Sequence, residues 1–248
     1  MKYLGIVKYI GAAYSGFQRQ KNAPTVQAEL EEKLSAMFGK PTQIKGAGRT
    51  DAGVNANGQT FSFSCDAPVE DIDGFVFAIN RLLPKDISVL SLKEVPESFD
   101  ARHSNAGKVY SYSFYFGEKD PFLSQTHAFI PYRPSNFDAK KFNEALQAFV
   151  GKHDFRNFTA KATDVDDFVR EIRRIDFKEE SPNHYRVEFE GNGFMTYMIR
   201  FLVGGALKVG LGKLSVDELK ELLGRRPRHI VSYNAAPEGL CLERVIYA

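Results

Sequence analysis

The chain has 248 residues, 43% of them hydrophobic and 26% charged, with a net charge of +2. That length can bury a full core as one large domain or two smaller ones, and this composition excludes extended disorder. The balance of charge is too even for a protein that holds nucleic acid by its overall field, so such a partner would have to be met by local basic clusters.

Tyr3 to Ile10 reads as an opening strand, followed by a Gly/Ala/Ser loop through Asn22 that carries Tyr14, Gly16, Phe17, Gln18 and Arg19. Pro24 opens a helix with apolar positions Val26, Leu30, Leu34 and Met37 at helical spacing, and Gly39 closes it. Gln43 to Gly46 is a short strand, Asn57-Gly58 a turn, and Gln59 to Ser64 an alternating strand. A helix from about Val69 to Leu83 and a strand from Ile87 to Val95 complete a β-α-β-β-α-β order, the ferredoxin-like arrangement. The pattern pauses near Ala101 to Gly107. A second unit then runs through a strand at Lys108–Phe116, a helix at Ala139–Val150 and paired strands at 171–177 and 184–190. It continues with an apolar helix at Phe194–Val209, a short helix at Val216–Leu223 and a closing strand at Leu240–Tyr247. Two α/β halves of similar content, residues 1–105 and 106–248, could pack their sheets side by side around a cleft.

The segment from Gly46 to Val54, Gly-Ala-Gly-Arg-Thr-Asp-Ala-Gly-Val, sets Asp51 in a glycine-punctuated turn between two strands. Glycine permits positive φ and close approach of a ligand, and a loop on a rigid scaffold is where catalytic groups concentrate. No other Asp or Glu lies within ten residues, so the paired carboxylates of a glycosidase are absent, as is a nucleophile elbow. Arg49, two residues upstream, either pairs with Asp51 or points at a phosphate. Tyr110 and Tyr112 share a strand face, which serves as sheet core or as a stacking platform for a base. Arg200 is a charge inside an apolar helix that either snorkels to solvent or serves as counter-ion to Asp51, with Gly204-Gly205 permitting close packing one turn later. Arginines and lysines at Arg170, Arg173 and Arg174, and from Lys208 to His229 including Arg225 and Arg226, join Arg19 and Lys21 as candidates for a phosphate track. His153-Asp154 reads as a structural turn with a side-chain cap rather than an acid/base pair. Two cysteines, Cys65 and Cys241, in apolar surroundings and without a CxxC pair, read as small buried hydrophobes of a reducing compartment, with no metal site. No window has the apolar length of a membrane span, so a cytoplasmic protein is expected.

Taken together these segments resemble the TruA family of tRNA pseudouridine synthases, nearly end to end. The resemblance rests on Tyr14–Gln18, Thr25–Gln27, Gly46–Val54, Leu83–Ile87, Phe99–Arg102, Lys108–Tyr112, Gly151–Phe155, Gly193-Phe194, Met198–Arg200 and Ala236–Leu240, in family order. It implies an α+β fold of two ferredoxin-like α/β halves with adjoining antiparallel sheets around a central catalytic cleft, and a homodimer that isomerises uridines at about positions 38 to 40 of the tRNA anticodon stem-loop, with no metal or nucleotide cofactor. It implies Asp51 as the catalytic aspartate, Tyr110 as the aromatic that stacks on the target base, Arg200 as the basic partner of Asp51 and Arg49 as a contact to the RNA backbone. The family usually has His where this chain has Asn55 and Trp where it has Phe17, which implies altered RNA contacts rather than lost chemistry. Two rivals remain: a synthase with the same site but another RNA target, and a non-catalytic RNA-binding protein.

Overall fold

The computed structural model describes residues 1–160 and 167–247, and the chain divides into two units. The first comprises Met1–Lys108 with the segment that begins at Cys241, the second Val109–Leu240.

In the first unit β1 (Lys2–Tyr9) is the central strand of a sheet. α1 (Val26–Phe38) starts where Thr25 Oγ1 accepts the Ala28 N–H at 3.3 Å, and ends at Gly39, whose φ of 66° a side chain would strain. β2 is a stub (Lys45–Gly46), β3 spans Asn55–Ser64, α2 (Ile72–Leu82) is capped by Asp71, and β4 is Ile87–Val95. β1 lies antiparallel between β3 and β4, with Gly5 opposite both Phe61 and Leu92. Phe38 of α1 packs on Phe63 of β3 and Phe75 of α2, so both helices cover the same sheet face.

The element order is the expected one, with one revision. Asn57-Gly58 is not a turn but the interior of β3. Glycine is required there because a Cβ would fall 2.5 Å from the Glu243 carbonyl oxygen, a close approach of the kind that marks glycine within strands.

The second unit continues β5 (Asn105–Tyr115) and adds β6 (Ala128–Phe129), α3 (Ala139–Gln147), β7 (Gly151–Asp154), β8 (Val169–Ser181) and β9 (His184–Gly191). Its strands are ordered β5-β9-β8-β7. Phe114, Phe137, Phe142, Phe177 and Tyr185 form an aromatic core against α3. α4 (Met198–Gly210) is buried at every position but Lys208, and α5 (Val216–Glu221) opens on a Ser215/Glu218 capping box. α4 starts four residues later than its apolar run, because Tyr197 takes a left-handed φ of 62° at the N-cap. His153-Asp154, expected as a turn, lies in the edge strand β7, paired with β8.

The closing strand β10 (Leu240–Tyr247) departs from the expected division at residue 105. It pairs in parallel with β3, Cys241 opposite Asn55 and Leu242 opposite Ala56. Asn57 Nδ2 donates to Glu243 at 2.9 Å, and the Tyr247 hydroxyl meets Thr60 Oγ1 at 2.6 Å and donates to the Ala101 carbonyl at 2.9 Å. The stub β2 covers β3 only at Phe61 and Ser62, which leaves the Asn55 end of that edge to β10.

Candidate active site

Asp51 lies half-buried in a tight turn closed by the Val54 N–H, which donates to the Asp51 carbonyl at 3.1 Å, with Gly53 at φ 76°. The segment 11–17 backs this turn. Gly53 N–H donates to the Tyr14 carbonyl at 3.3 Å and Phe17 N–H to the Thr50 carbonyl at 3.2 Å. Gly16, at φ 101°, brings the two backbones so close that a Cβ would lie 2.6 Å from the Thr50 oxygen. The Tyr9 hydroxyl meets Thr50 Oγ1 at 2.7 Å in a buried bond, and burial pushes that phenol above its ordinary range. Tyr14 donates to Asp86 Oδ1 at 2.8 Å, anchoring the backing segment at the start of β4. The carboxylate is thus carried on backbone that is hydrogen-bonded on both sides, the pre-organisation that chemistry at a fixed point requires.

The two positions that depart from the family pattern belong to this scaffold. Asn55 is buried and its Oδ1 accepts the Gly11 N–H at 2.8 Å; Phe17 is buried, stacks on Tyr9 at 6.2 Å and presses on Gly46. Both act on the shape of the Asp51 turn from behind, so the altered RNA contacts expected of them would pass through that turn.

Arg49 is exposed, and among the described residues it forms no ion pair with Asp51. Arg19, expected in a phosphate track, is instead paired with Glu31 at 2.7 Å. Glu31 is buried on α1 and also accepts from Gln27 Nε2 at 2.9 Å and from the Ile44 N–H at 3.0 Å, so the pair fixes the chain just before β2. Much of the Arg19 charge is therefore already answered.

In the second unit, Tyr110 and Tyr112 occupy one face of β5. Tyr112 is core: it is fully buried, donates to the Ala236 carbonyl at 2.8 Å and packs on Gly239. Burial, with the Glu238 charge adding to it, drives its phenol far above the ordinary range. Tyr110 meets Phe194 edge-on at 5.4 Å, and 7% of its surface is exposed. Arg200 stands in the first turn of α4, and its buried guanidinium does not snorkel. Nε donates to the Ala235 carbonyl at 2.7 Å while the guanidinium carbon lies 4.7 Å from the Tyr197 ring centroid. The following glycines act as expected: a Cβ would lie 2.3 Å from the Tyr233 oxygen at Gly204 and 2.8 Å from Leu219 at Gly205.

The basic groups separate into three kinds. Arg225 and Arg226 have exposed side chains. Arg228 is tied to the carbonyls of Arg156 and Thr159. Arg170, Arg173 and Arg174 belong to an ion-pair ladder with Asp167 just before β8 and with Asp176, Glu188 and Glu190 on β8 and β9, which argues against a phosphate track there. His153 bonds to the Val150 carbonyl and Asp154 to Arg156, so the two are no acid/base pair, in keeping with the structural reading. Cys65 is buried and Cys241 partly so.

Sequence reasoning passed over Lys108. Its stem is largely enclosed and its ammonium lies against the Gly48 backbone, where a Cβ would be 2.4 Å from Nζ. Burial holds the ammonium below the usual lysine range, and Arg102 adds repulsion. Its position two residues before Tyr110 on one strand was the available signal.

Among the described residues no three His, Cys, Asp or Glu gather as a metal site, and no helix is long and apolar enough to cross a membrane. A family model described as tRNA pseudouridine synthase matches residues 6–104 and 145–248. A tRNA pseudouridine synthase A of Streptococcus suis (strain 05ZYH33) is 37% identical over 249 residues, covering 99% of this chain and 98% of the relative. One of Listeria monocytogenes serotype 4b is 38% identical with 99% of each covered, and one of Clostridium kluyveri 35% identical with 98% of each covered.

Proposed function

The chain belongs to the tRNA pseudouridine synthase family, isomerases that convert uridine to pseudouridine in tRNA, and we propose that it acts at positions 38, 39 and 40 of the anticodon stem-loop with Asp51 as the catalytic group. The observation that carries the assignment of Asp51 is its turn: a half-buried carboxylate on backbone held by Tyr14, Phe17 and Thr50.

The reaction breaks the N1–C1′ bond, turns the freed uracil and joins C5 to C1′, with the C5 proton lost and N1 protonated. It is redox-neutral and internal to one nucleotide. Asp51 serves it either by attack on C1′ or by removal of the 2′ proton. Tyr110 stacks on the target base, offsetting part of the roughly few kcal/mol that removal from the helical stack costs. Arg200 is the basic partner of Asp51, and its fixed guanidinium geometry suits an ion pair away from water. Arg49, Arg225 and Arg226 meet the RNA backbone with exposed charge, and Arg19 does so only with the edge left by Glu31. The active form is a homodimer.

The test is tritium release from unmodified tRNA labelled at uracil C5, with Asp51→Asn compared at equal tRNA occupancy. Release by the wild type and none by the variant is expected, and pseudouridine sequencing of the product should place the modification at 38 to 40. Release by Asp51→Asn at the wild-type rate refutes the role given to the carboxylate, and modification elsewhere refutes the target.

A further inference from the structure

Among the described residues, Lys108 is an ammonium without an answer. Among the described residues its Nζ has no hydrogen-bond acceptor and no carboxylate partner, and the one charge that acts on it, Arg102, is of the same sign. The nearest carboxylate in the sequence, Asp100, is engaged by His103 at 3.1 Å and faces Lys45 at 3.9 Å. The carbonyl of Gly48, over which the lysine lies, is taken by Gln59 Nε2 at 3.0 Å. Among the described residues Ser62 Oγ is the one sealed side-chain polar atom left without a partner, so the Lys108 nitrogen is not sealed from solvent. Enclosing an ammonium stem without a counter-charge costs free energy, and an anion from outside would recover it.

We propose that Lys108 forms a phosphodiester site that grips the RNA backbone next to the nucleotide presented to Asp51. The inference rests on the synthase reading for the identity of the anion. Gly48 is three residues from Asp51, at most ~10 Å of chain, so a phosphate over Gly48 belongs to the target nucleotide or its immediate neighbour. Gly48 leaves room for the ammonium, because a Cβ there would push the lysine end aside. A singly charged phosphodiester fits better than a base, since the lysine offers donors to an acceptor and the glycine offers no stacking surface. Lys108 is a positioning residue: it holds the RNA backbone beside the site and takes no part in bond exchange.

The test uses the full chain and an unmodified tRNA transcript. Lys108→Met is expected to reduce the slope of log affinity against log salt by about 0.7–0.9, the share of one phosphate. Between about 50 and 200 mM salt the wild type then loses about threefold more affinity than the variant. KM for tRNA should rise while kcat stays near wild type. The free variant should melt at the same temperature or higher, because an unpaired enclosed charge has been removed, whereas a lysine with a structural role would lower it. Lys108→Gln, which keeps a polar end without the charge, should show the same slope loss and guards against a folding defect in the methionine variant. An unchanged slope in both variants overturns the proposal. Tritium release by the wild type is scored separately: its absence overturns the synthase reading, while a slope loss would still report a phosphate site.

Discussion

Gly16→Ala tests whether the backing segment sets the position of Asp51. The native φ of 101° lies where an alanine is strained by roughly 1–3 kcal/mol. The new Cβ would sit 2.6 Å from the Thr50 oxygen and 3.3 Å from the Asp51 carbonyl carbon, so the backbones must separate by at least 0.4 Å to reach the 3.0 Å limit (3.0 − 2.6). That movement stretches the Phe17 N–H bond to Thr50, already 3.2 Å, with a further loss of about 1 kcal/mol. The total, about 2–4 kcal/mol, corresponds to a fall in Tm of roughly 5–12 °C for a chain of this size. Because a displacement of about 1 Å at a reacting group can cost about 10²-fold in rate, a shift near half that should slow turnover about tenfold. Thermal melting and single-turnover tritium release, the latter at a temperature where the variant remains folded, give the two readouts. Gly39→Ala is the control: its φ of 66° is also left-handed but nothing lies within 4 Å of the added carbon, so it should lose about 1 kcal/mol with turnover unchanged. If Gly16→Ala turns over within about twofold of wild type, the backing segment does not position the carboxylate.

Glu31→Ala removes the acceptor of the Ile44 N–H and of Gln27 Nε2, and should destabilise by about 1–3 kcal/mol in urea denaturation; the half-exposed Arg19 adds little. Lys108, held below its usual 10.5 by burial and then by Arg102, gives a pH signature. Between the lowered value and 10.5 the unfolded chain binds more protons than the native one, so this group's contribution to stability rises with pH across that window. Urea midpoints measured up to pH 10 should show the rise in wild type and its absence in Lys108→Met. Arg225→Ala and Arg226→Ala should each flatten the salt dependence of tRNA binding by about 0.7–0.9, while Arg174→Ala, whose charge is shared with Asp176 and Glu188, should leave it unchanged.

What could be read along the chain is what neighbours in sequence decide. Apolar spacing with Pro24 and Gly39 at the ends of α1, and the strand readings of Tyr3 to Ile10 and Ile87 to Val95, placed those elements to within a residue or two. The glycines around Asp51 announced a constrained turn, since a positive φ at Gly53 is a local demand. The remainder depended on partners far away in sequence. Asn57-Gly58 has the composition of a turn, yet it is strand because a segment 186 residues later pairs beside it. Arg19 and Arg49 are equivalent as letters, and only the fold sets Glu31 against one of them. Lys108 likewise became notable only once Gly48 was brought under its ammonium. Caps, turns and periodicity are written in consecutive residues; charge compensation and strand partnership are decided by which distant segments share a desolvated space, and that only the tertiary structure settles.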